Sequence, residues 1–279
     1  MRQPFYQKTY ESSPLGIFLS FYTTPGGYHP SHWHEEMELL YLLNGKADIT
    51  VENKTYQLPK KNVTVIECCQ IHSTYAHDDS SMYLRIRISK EKLKNYMPDI
   101  ADCQIQCIPK DVSDEQFLEY YKICNLLAEL TRLYMYDAAA FRLEAEGLIL
   151  QAVARLLRYF SFQNAPNISS DPLAIERIRS VICYVEQHYQ ENISLQDIAD
   201  FLGISREHFC RMFKKNTGTS FLQYLNQVRL SKVYHDLRYT SLPITEIMER
   251  NGFTSQKQFN LSFKKMYGCT PSSIRKQPF

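Results

Sequence analysis

The chain is expected to fold as an α+β protein of two domains, an N-terminal β-barrel with two following helices and a C-terminal domain made only of helices. Three observations predict this. Short alternating runs broken by turn residues fill the first third, apolar spacing switches to three and four after Pro109, and the charge changes sign near residue 171. Residues 1–171 carry 17 Lys and Arg against 21 Asp and Glu, a net of −4, whereas residues 172–279 carry 15 against 9, a net of +6. A basic module joined to an acidic one points to a polyanion as the partner of the C-terminal half. With 279 residues each half can bury a core of its own, and 44% apolar with 22% charged residues excludes a disordered chain. The N-terminal MRQPFYQKTYESSPLG has no signal-peptide character, and no stretch reaches the roughly 18–20 apolar residues of a membrane span, so a cytosolic protein without a membrane partner is expected. None of the eight cysteines forms a C-x-x-C pair, and they are read as reduced and mostly buried.

Taken in order, IFLSFY from Ile17, ELLYLLNGKADITVENKTYQLPKKNVTVI from Glu38 and YLRIRIS from Tyr83 read as strands of a barrel or sandwich. Asn44-Gly45 and Glu52-Asn53-Lys54 supply hairpin turns. Arg85 and Arg87 share one face of the last strand. A solvated face is the simpler reading for them; an inward one would let them grip a carboxylate. Phe117, Tyr121, Cys124, Leu127 and Leu130 then recur at helical spacing, and a second such run extends from Ala138 to Phe160. The polar segment 164–172, with two prolines, is the linker candidate. It divides a barrel at 1–110 and a helical region at 111–163 from a helical domain at 173–279. In that last domain Ser194 with Asp197 and Ser205 with His208 mark helix starts, and Gly203, Gly218, Gly252 and Gly268 punctuate helix ends.

The C-terminal domain repeats itself. Ile198, Gly203 and Ile204 match Ile247, Gly252 and Phe253 at an offset of 49, and Phe209, Phe213, Lys214, Lys215 and Gly218 match Phe259, Phe263, Lys264, Lys265 and Gly268 at an offset of 50. The spacing predicts two helix-turn-helix units with one residue inserted in the second turn. The stretch SLQDIADFLGISREHFCRMFKKNTGTSF, its repeat and the pattern GF-x5-F-x3-FKK-x2-G-x2-P from Gly252 resemble the DNA-binding domain of AraC/XylS-type transcription regulators. The resemblance implies seven helices, with the two units joined by a long central one, and Phe221 to Leu237, read as one uninterrupted amphipathic run, suits that rod.

Helical periodicity sorts the recognition faces. Phe209, Met212 and Phe213 must face the first core, which leaves Arg206, Glu207, Cys210 and Arg211 toward DNA; Phe259 and Phe263 face the second, which leaves Gln256, Lys257, Asn260 and Leu261. These are also the positions that the resemblance implies for base contact. Arg211 suits guanine, and Gln256 and Asn260 suit adenine, each good bidentate contact being worth about 1–3 kcal/mol. Cys210 and Leu261 offer apolar or shape contact only. Ser205 and Ser255 at helix starts are candidate phosphate contacts, as are Lys214 and Lys264; for these lysines, as for Lys215 and Lys265, the alternative is compensation of the helix dipole.

In the N-terminal half HWHEEMELLYLLNG places His32, His34 and Glu38 at even positions of what alternates like one strand. The spacing Gly26-x5-His32-x-His34-x3-Glu38-x6-Gly45 resembles the first motif of cupin barrels, and His72 stands where the second motif has its histidine. The proline and glycine expected before that histidine are replaced by Glu67 and Cys69. Three imidazoles and a carboxylate suit a divalent first-row metal, which alone would support a metal-dependent cupin enzyme with an accessory DNA-binding tail. They equally suit the lining of an effector pocket, or a structural role with Trp33 and Met37 packed behind them. The DNA-binding tail favours the effector pocket: no catalytic residue and no cofactor is expected, and His32, His34, Glu38 and His72 are assigned to a small-molecule effector, a sugar or related metabolite. The AraC-type resemblance further implies a double-stranded DNA operator, a homodimer paired through the 111–163 helices, and RNA polymerase as a candidate contact.

Overall fold

A computed structural model describes residues 16–23, 27–77, 81–136, 140–163 and 172–276. Among the described residues, eight strands build the two main sheets of the N-terminal domain: β1 (Ile17–Thr23), β2 (Tyr28–His32), β3 (Met37–Asn44), β4 (Ala47–Val51), β5 (Lys54–Leu58), β6 (Val63–Ile66), β7 (His72–Ala76) and β8 (Met82–Ile88). They make two antiparallel sheets, ordered β1-β8-β3-β6 and β2-β7-β4-β5. The alternation seen in the sequence separates two environments. Leu40, Leu42, Ile66 and Tyr83 of the first sheet meet Ala47, Ile49, Tyr56, Leu58 and Ala76 of the second in the barrel interior. On the outer face of the first sheet, Met37, Leu39, Tyr41, Leu84, Ile86 and Ile88 pack under helices.

A short helix α1 (Lys90–Leu93) and strand β9 (Cys103–Ile105) lead to the two long helices α2 (Asp114–Tyr136) and α3 (Phe141–Tyr159), followed by β10 (Ser161–Gln163) paired with β9. Ile123, Leu127 and Leu130 of α2 and Ile149, Ala152, Val153 and Leu156 of α3 bury against the sheet. The Tyr120 hydroxyl donates to the carbonyl of Val63, which pins α2 to the end of β6. Phe117 and Tyr121 depart from the expected apolar stripe: they are exposed at 63% and 56%, and Leu118 beside them at 60%. The expected linker lies outside the described residues except for Pro172, which begins the next helix.

That helix is α4 (Pro172–His188). It is followed by α5 (Leu195–Leu202), α6 (Arg206–Thr217), α7 (Phe221–Tyr239), α8 (Ile244–Arg250), α9 (Gln256–Tyr267) and α10 (Pro271–Lys276), seven helices as the resemblance implies. Ser194 and Asp197 close a capping box at the start of α5, and Gly203, Gly218 and Gly268 end their helices in the left-handed conformation. The inserted residue lies in the turn of the second unit, where Asn251 caps α8 and Gly252, Phe253 and Thr254 precede Ser255, the N-cap of α9.

The central rod α7 refines the sequence reading. Its N-terminal half gives Phe221, Tyr224, Leu225 and Val228 to the first core, and its C-terminal half gives Leu230, Val233, Tyr234 and Leu237 to the second. At roughly 100° per residue the two sets point in nearly opposite directions. Instead of one uninterrupted amphipathic stripe, α7 carries two half-stripes, and the two helix-turn-helix cores grip it from opposite sides.

Candidate functional site

His32, His34 and Glu38 do not share a strand. His32 ends β2, Glu38 lies on β3, and His34 stands in the connection between them. The chain turns there because the His34 ring hydrogen-bonds the Glu36 carbonyl through Nδ1 at 2.8 Å while its own carbonyl accepts from the amide of Cys69 at 2.8 Å. All four residues still converge. The β2–β7 register sets His32 opposite His72, with rings 4.1 Å apart, and the His34 ring lies 5.0 Å from that of His72. Glu38, 2% exposed, faces the same space, its Oε2 3.1 Å from His34 Nε2 and its Oε1 4.0 Å from His72 Nε2.

Arg85 and Arg87 overturn the simpler reading of their strand, because their face of β8 is the inner one. Cross-strand pairing places Arg87 beside Glu38 and Arg85 beside Ser20; Arg87 Nε donates to Glu38 Oε2 at 3.1 Å, and Arg85 Nε to the buried Ser20 hydroxyl at 3.1 Å. The sequence reading also missed His29, whose ring is 4.2 Å from that of His32. Burial pushes the His72 and His29 imidazoles down to about 4, Arg85 adding to the effect at His29, and holds His32 well below its ordinary value. These rings are therefore neutral near pH 7. Burial works against the ionised form of Glu38, but the His34 hydrogen bond and the charge of Arg85 outweigh it and hold the carboxyl far below the usual range. The barrel thus ends in neutral imidazoles, one carboxylate and two guanidiniums, suited to a polar or anionic ligand or to a cation held on imidazole nitrogen.

At the other end of the chain, Arg206, Glu207 and Arg211 project from α6, and Gln256, Lys257, Asn260 and Leu261 from α9, all exposed. Phe209, Met212, Phe213, Phe259 and Phe263 are buried, as the periodicity requires. Cys210 is only half exposed and leans on the first core, which makes it the weakest of the expected base contacts. Ser205 and Ser255 accept hydrogen bonds from the amides of His208 and Gln258 as N-caps, which leaves each hydroxyl proton available to a phosphate. Lys214 and Lys264 are exposed in the last turns of their helices.

Residues 14–153 match the model of the AraC-like ligand binding domain, and residues 198–277 that of a helix-turn-helix domain. The chain belongs to the AraC-type family. An uncharacterized HTH-type transcriptional regulator of Staphylococcus aureus (strain MRSA252) is 23% identical over 84% of this chain, which spans 31% of that protein, about a third of its length. The uncharacterized HTH-type transcriptional regulator YdeC of Bacillus subtilis (strain 168) is 24% identical over 90% of this chain and 87% of its own. Among solved structures, an apo ToxT variant from Vibrio cholerae strain SCE256 matches with a TM-score of 0.50 and 16% identity over 93% of this chain and 97% of that one, a likeness of fold alone.

In this AraC-type chain the two modules touch where the barrel ends. Trp33, between His32 and His34, inserts toward α4: its Nε1 donates to the carbonyl of Arg179 at 3.4 Å and the Arg179 guanidinium lies over its ring at 5.2 Å. Arg179 in turn donates to the carbonyl of Cys69 at 2.5 Å, and Tyr28 on β2 donates to Gln227 on α7 at 3.1 Å. Beside this contact a cavity of about 520 Å³ separates the barrel from α6, with Lys54 and Tyr56 on one wall and His208, Arg211 and Lys215 on the other. Arg211, expected to read a base, therefore sits at the edge of the interface between the modules. Among the described residues no helix is long and apolar enough to cross a membrane.

Proposed function

We propose that the chain is a sequence-specific DNA-binding transcription regulator whose barrel senses a small polar ligand, a sugar or related metabolite. The sensing barrel occupies 1–110, a dimerising helical region 111–163, a linker 164–172 and the DNA-binding domain 173–279. The observation that carries this reading is the pair of matched helix-turn-helix units with complete apolar cores and polar, exposed recognition faces, held on one rod. The 19 residues of α7 span about 28 Å, close to the roughly 34 Å between successive major-groove faces. The effector site is the barrel end built from His32, His34, Glu38 and His72, with Arg85 and Arg87 facing it. Because Tyr28, Trp33 and Cys69 link that end to α7 and α4, a ligand there that favours one arrangement of the modules shifts DNA affinity by linkage.

Selection of bound fragments from genomic DNA, followed by affinity measurement, tests the reading. Arg211→Ala is expected to weaken binding by about 1–3 kcal/mol and to relax preference at one base position. Lys264→Ala should weaken all sequences alike and reduce the slope of log affinity against log salt by about one. A chain that selects no sequence, or that ignores both substitutions, would contradict the assignment.

The apolar face left on α2 supports a homodimer. Phe117, Leu118 and Tyr121 lie together within two turns, and a second copy is the partner that the family architecture supplies. Sedimentation equilibrium should give a dimer that Phe117→Asp with Tyr121→Asp converts to a folded monomer; a monomer before substitution would end the proposal for this face.

A further inference from the structure

We infer that the barrel end is a binding site for a first-row divalent cation, held by Nε2 of His32, His34 and His72, and that this ion is part of the signal the barrel passes to the DNA-binding domain. The tautomers decide the first half. Nδ1 of His32 faces the Pro30 carbonyl at 3.0 Å, Nδ1 of His34 the Glu36 carbonyl at 2.8 Å and Nδ1 of His72 the Gln70 carbonyl at 2.9 Å. A carbonyl only accepts, so each Nδ1 carries the hydrogen, and the neutral rings of His32 and His72 present a lone pair at Nε2. One ring nitrogen from each of the three histidines lies within 4.8 Å of the other two. Among the described residues Nε2 of His32 and of His72 are buried without a hydrogen-bond partner. Nε2 of His34 lies 3.1 Å from a carboxylate oxygen of Glu38, which only accepts, so a cation at this nitrogen takes the place of the proton held there. Converging acceptors with nothing to accept from are costly in a buried place, and a cation removes the cost at all of them together. Backbone carbonyls that orient the ring through the far nitrogen are the usual support of metal-binding histidines. Nitrogen-rich donors select zinc, cobalt, nickel, copper or iron over magnesium or calcium. Three protein nitrogens also leave coordination positions open, toward which Arg85 and Arg87 could draw an acidic metabolite.

The second half rests on the reading of the chain as a regulator. Every ligand neighbours a contact to the DNA-binding domain: His32 and His34 flank Trp33, which packs on Arg179, and His72 is three residues from Cys69, whose carbonyl Arg179 holds. An ion that draws the three rings together fixes the strand ends that carry this interface.

Chelator-stripped full-length protein titrated with zinc against a chromophoric competitor should bind one ion per chain, and cobalt should give the visible absorption of a nitrogen-bound site. His72→Ala and His34→Ala, each checked by circular dichroism, should each lower affinity at least about 10-fold, and magnesium should not compete. The chain has a single tryptophan, so the emission of Trp33 should change along the same zinc titration. No stoichiometric binding, or binding that survives both substitutions, would overturn the site. Affinity for a selected DNA fragment should differ several-fold between stripped and zinc-loaded protein; equal affinities would overturn the signalling half. Loss of all DNA binding in both forms would instead sink the regulator reading and leave the metal site standing.

Discussion

Replacing Gly252 with alanine should destabilise the second helix-turn-helix unit by about 2–5 kcal/mol, whereas the same change at Gly203 should cost about 1–2 kcal/mol. The two glycines occupy matching places in the repeat, and both are left-handed, at φ of 63° for Gly203 and 81° for Gly252. An alanine at either bears the strain of that conformation. Only at Gly252 is the added methyl also crowded: it would lie 2.8 Å from the Gln190 carbonyl, 2.9 Å from Arg229 Nε and 3.0 Å from the Tyr189 carbonyl, whereas nothing lies within 4 Å of the same atom at Gly203. The crowding carbonyls lie just after α4 and the crowding guanidinium on α7, and Arg229 already donates to the Tyr189 and Glu191 carbonyls at 2.6 Å each. They cannot retreat without losing those bonds. The close approach at Gly252 is where the second unit rests on the first, so the substitution should also loosen their mutual placement and lower DNA affinity beyond the loss of stability. Urea unfolding of the two variants distinguishes the positions; equal costs would mean that the contact between units does not constrain Gly252.

The contrast between these glycines marks what a sequence discloses and what it does not. Periodicity identified the cores of α6 and α9 and hence their exposed faces, because a buried Phe every four residues is a local property. It did not disclose that the stripe of α7 changes sides after Val228, since apolar residues on both sides of a helix blur a single period. Strands β2, YHPSH, and β7, HSTYA, were not among the readable runs because they hold almost no aliphatic side chains, with Ser31, His72, Ser73 and Thr74 all buried. Those two strands carry His29, His32 and His72, and β2 carries Tyr28, so the part of the barrel that matters most for binding had the weakest strand signal. The direction of Arg85 and Arg87 depended on which sheet covers them, which alternation along one strand leaves open. Once Glu38 is known to point inward, pairing across β3 and β8 requires Arg87 to do so too.

Glu67 and Cys69, the two departures from the cupin pattern before His72, should behave very differently when replaced. Glu67→Ala is expected to cost about 3–5 kcal/mol, because it strips the partner from a buried ammonium. Lys90, 9% exposed, donates to both carboxylate oxygens of Glu67 at 2.9 and 2.7 Å and to the Cys103 carbonyl at 2.6 Å. The same carboxylate accepts from the amides of Ile105 at 2.7 Å and Cys68 at 3.1 Å. A proline at this place would stiffen the turn through its ring; here a hydrogen-bonded ion pair ties the turn to α1 and β9 instead. Cys69 stands at φ of 64°, the conformation a glycine would favour. Cys69→Gly relieves strain of about 1–2 kcal/mol but frees the unfolded chain by roughly half to one, so stability should change by no more than about 1 kcal/mol. Thermal unfolding of the two variants gives the comparison, and a Glu67→Ala protein as stable as the parent would mean that Lys90 escapes to solvent when its partner is lost. The turn also sets where His72 begins its strand, through the Gln70 carbonyl that holds its Nδ1 and the Gln70 side chain that accepts from the Glu67 amide at 2.9 Å. Glu67→Ala should therefore weaken zinc binding as well as folding, although Glu67 faces away from the three imidazoles.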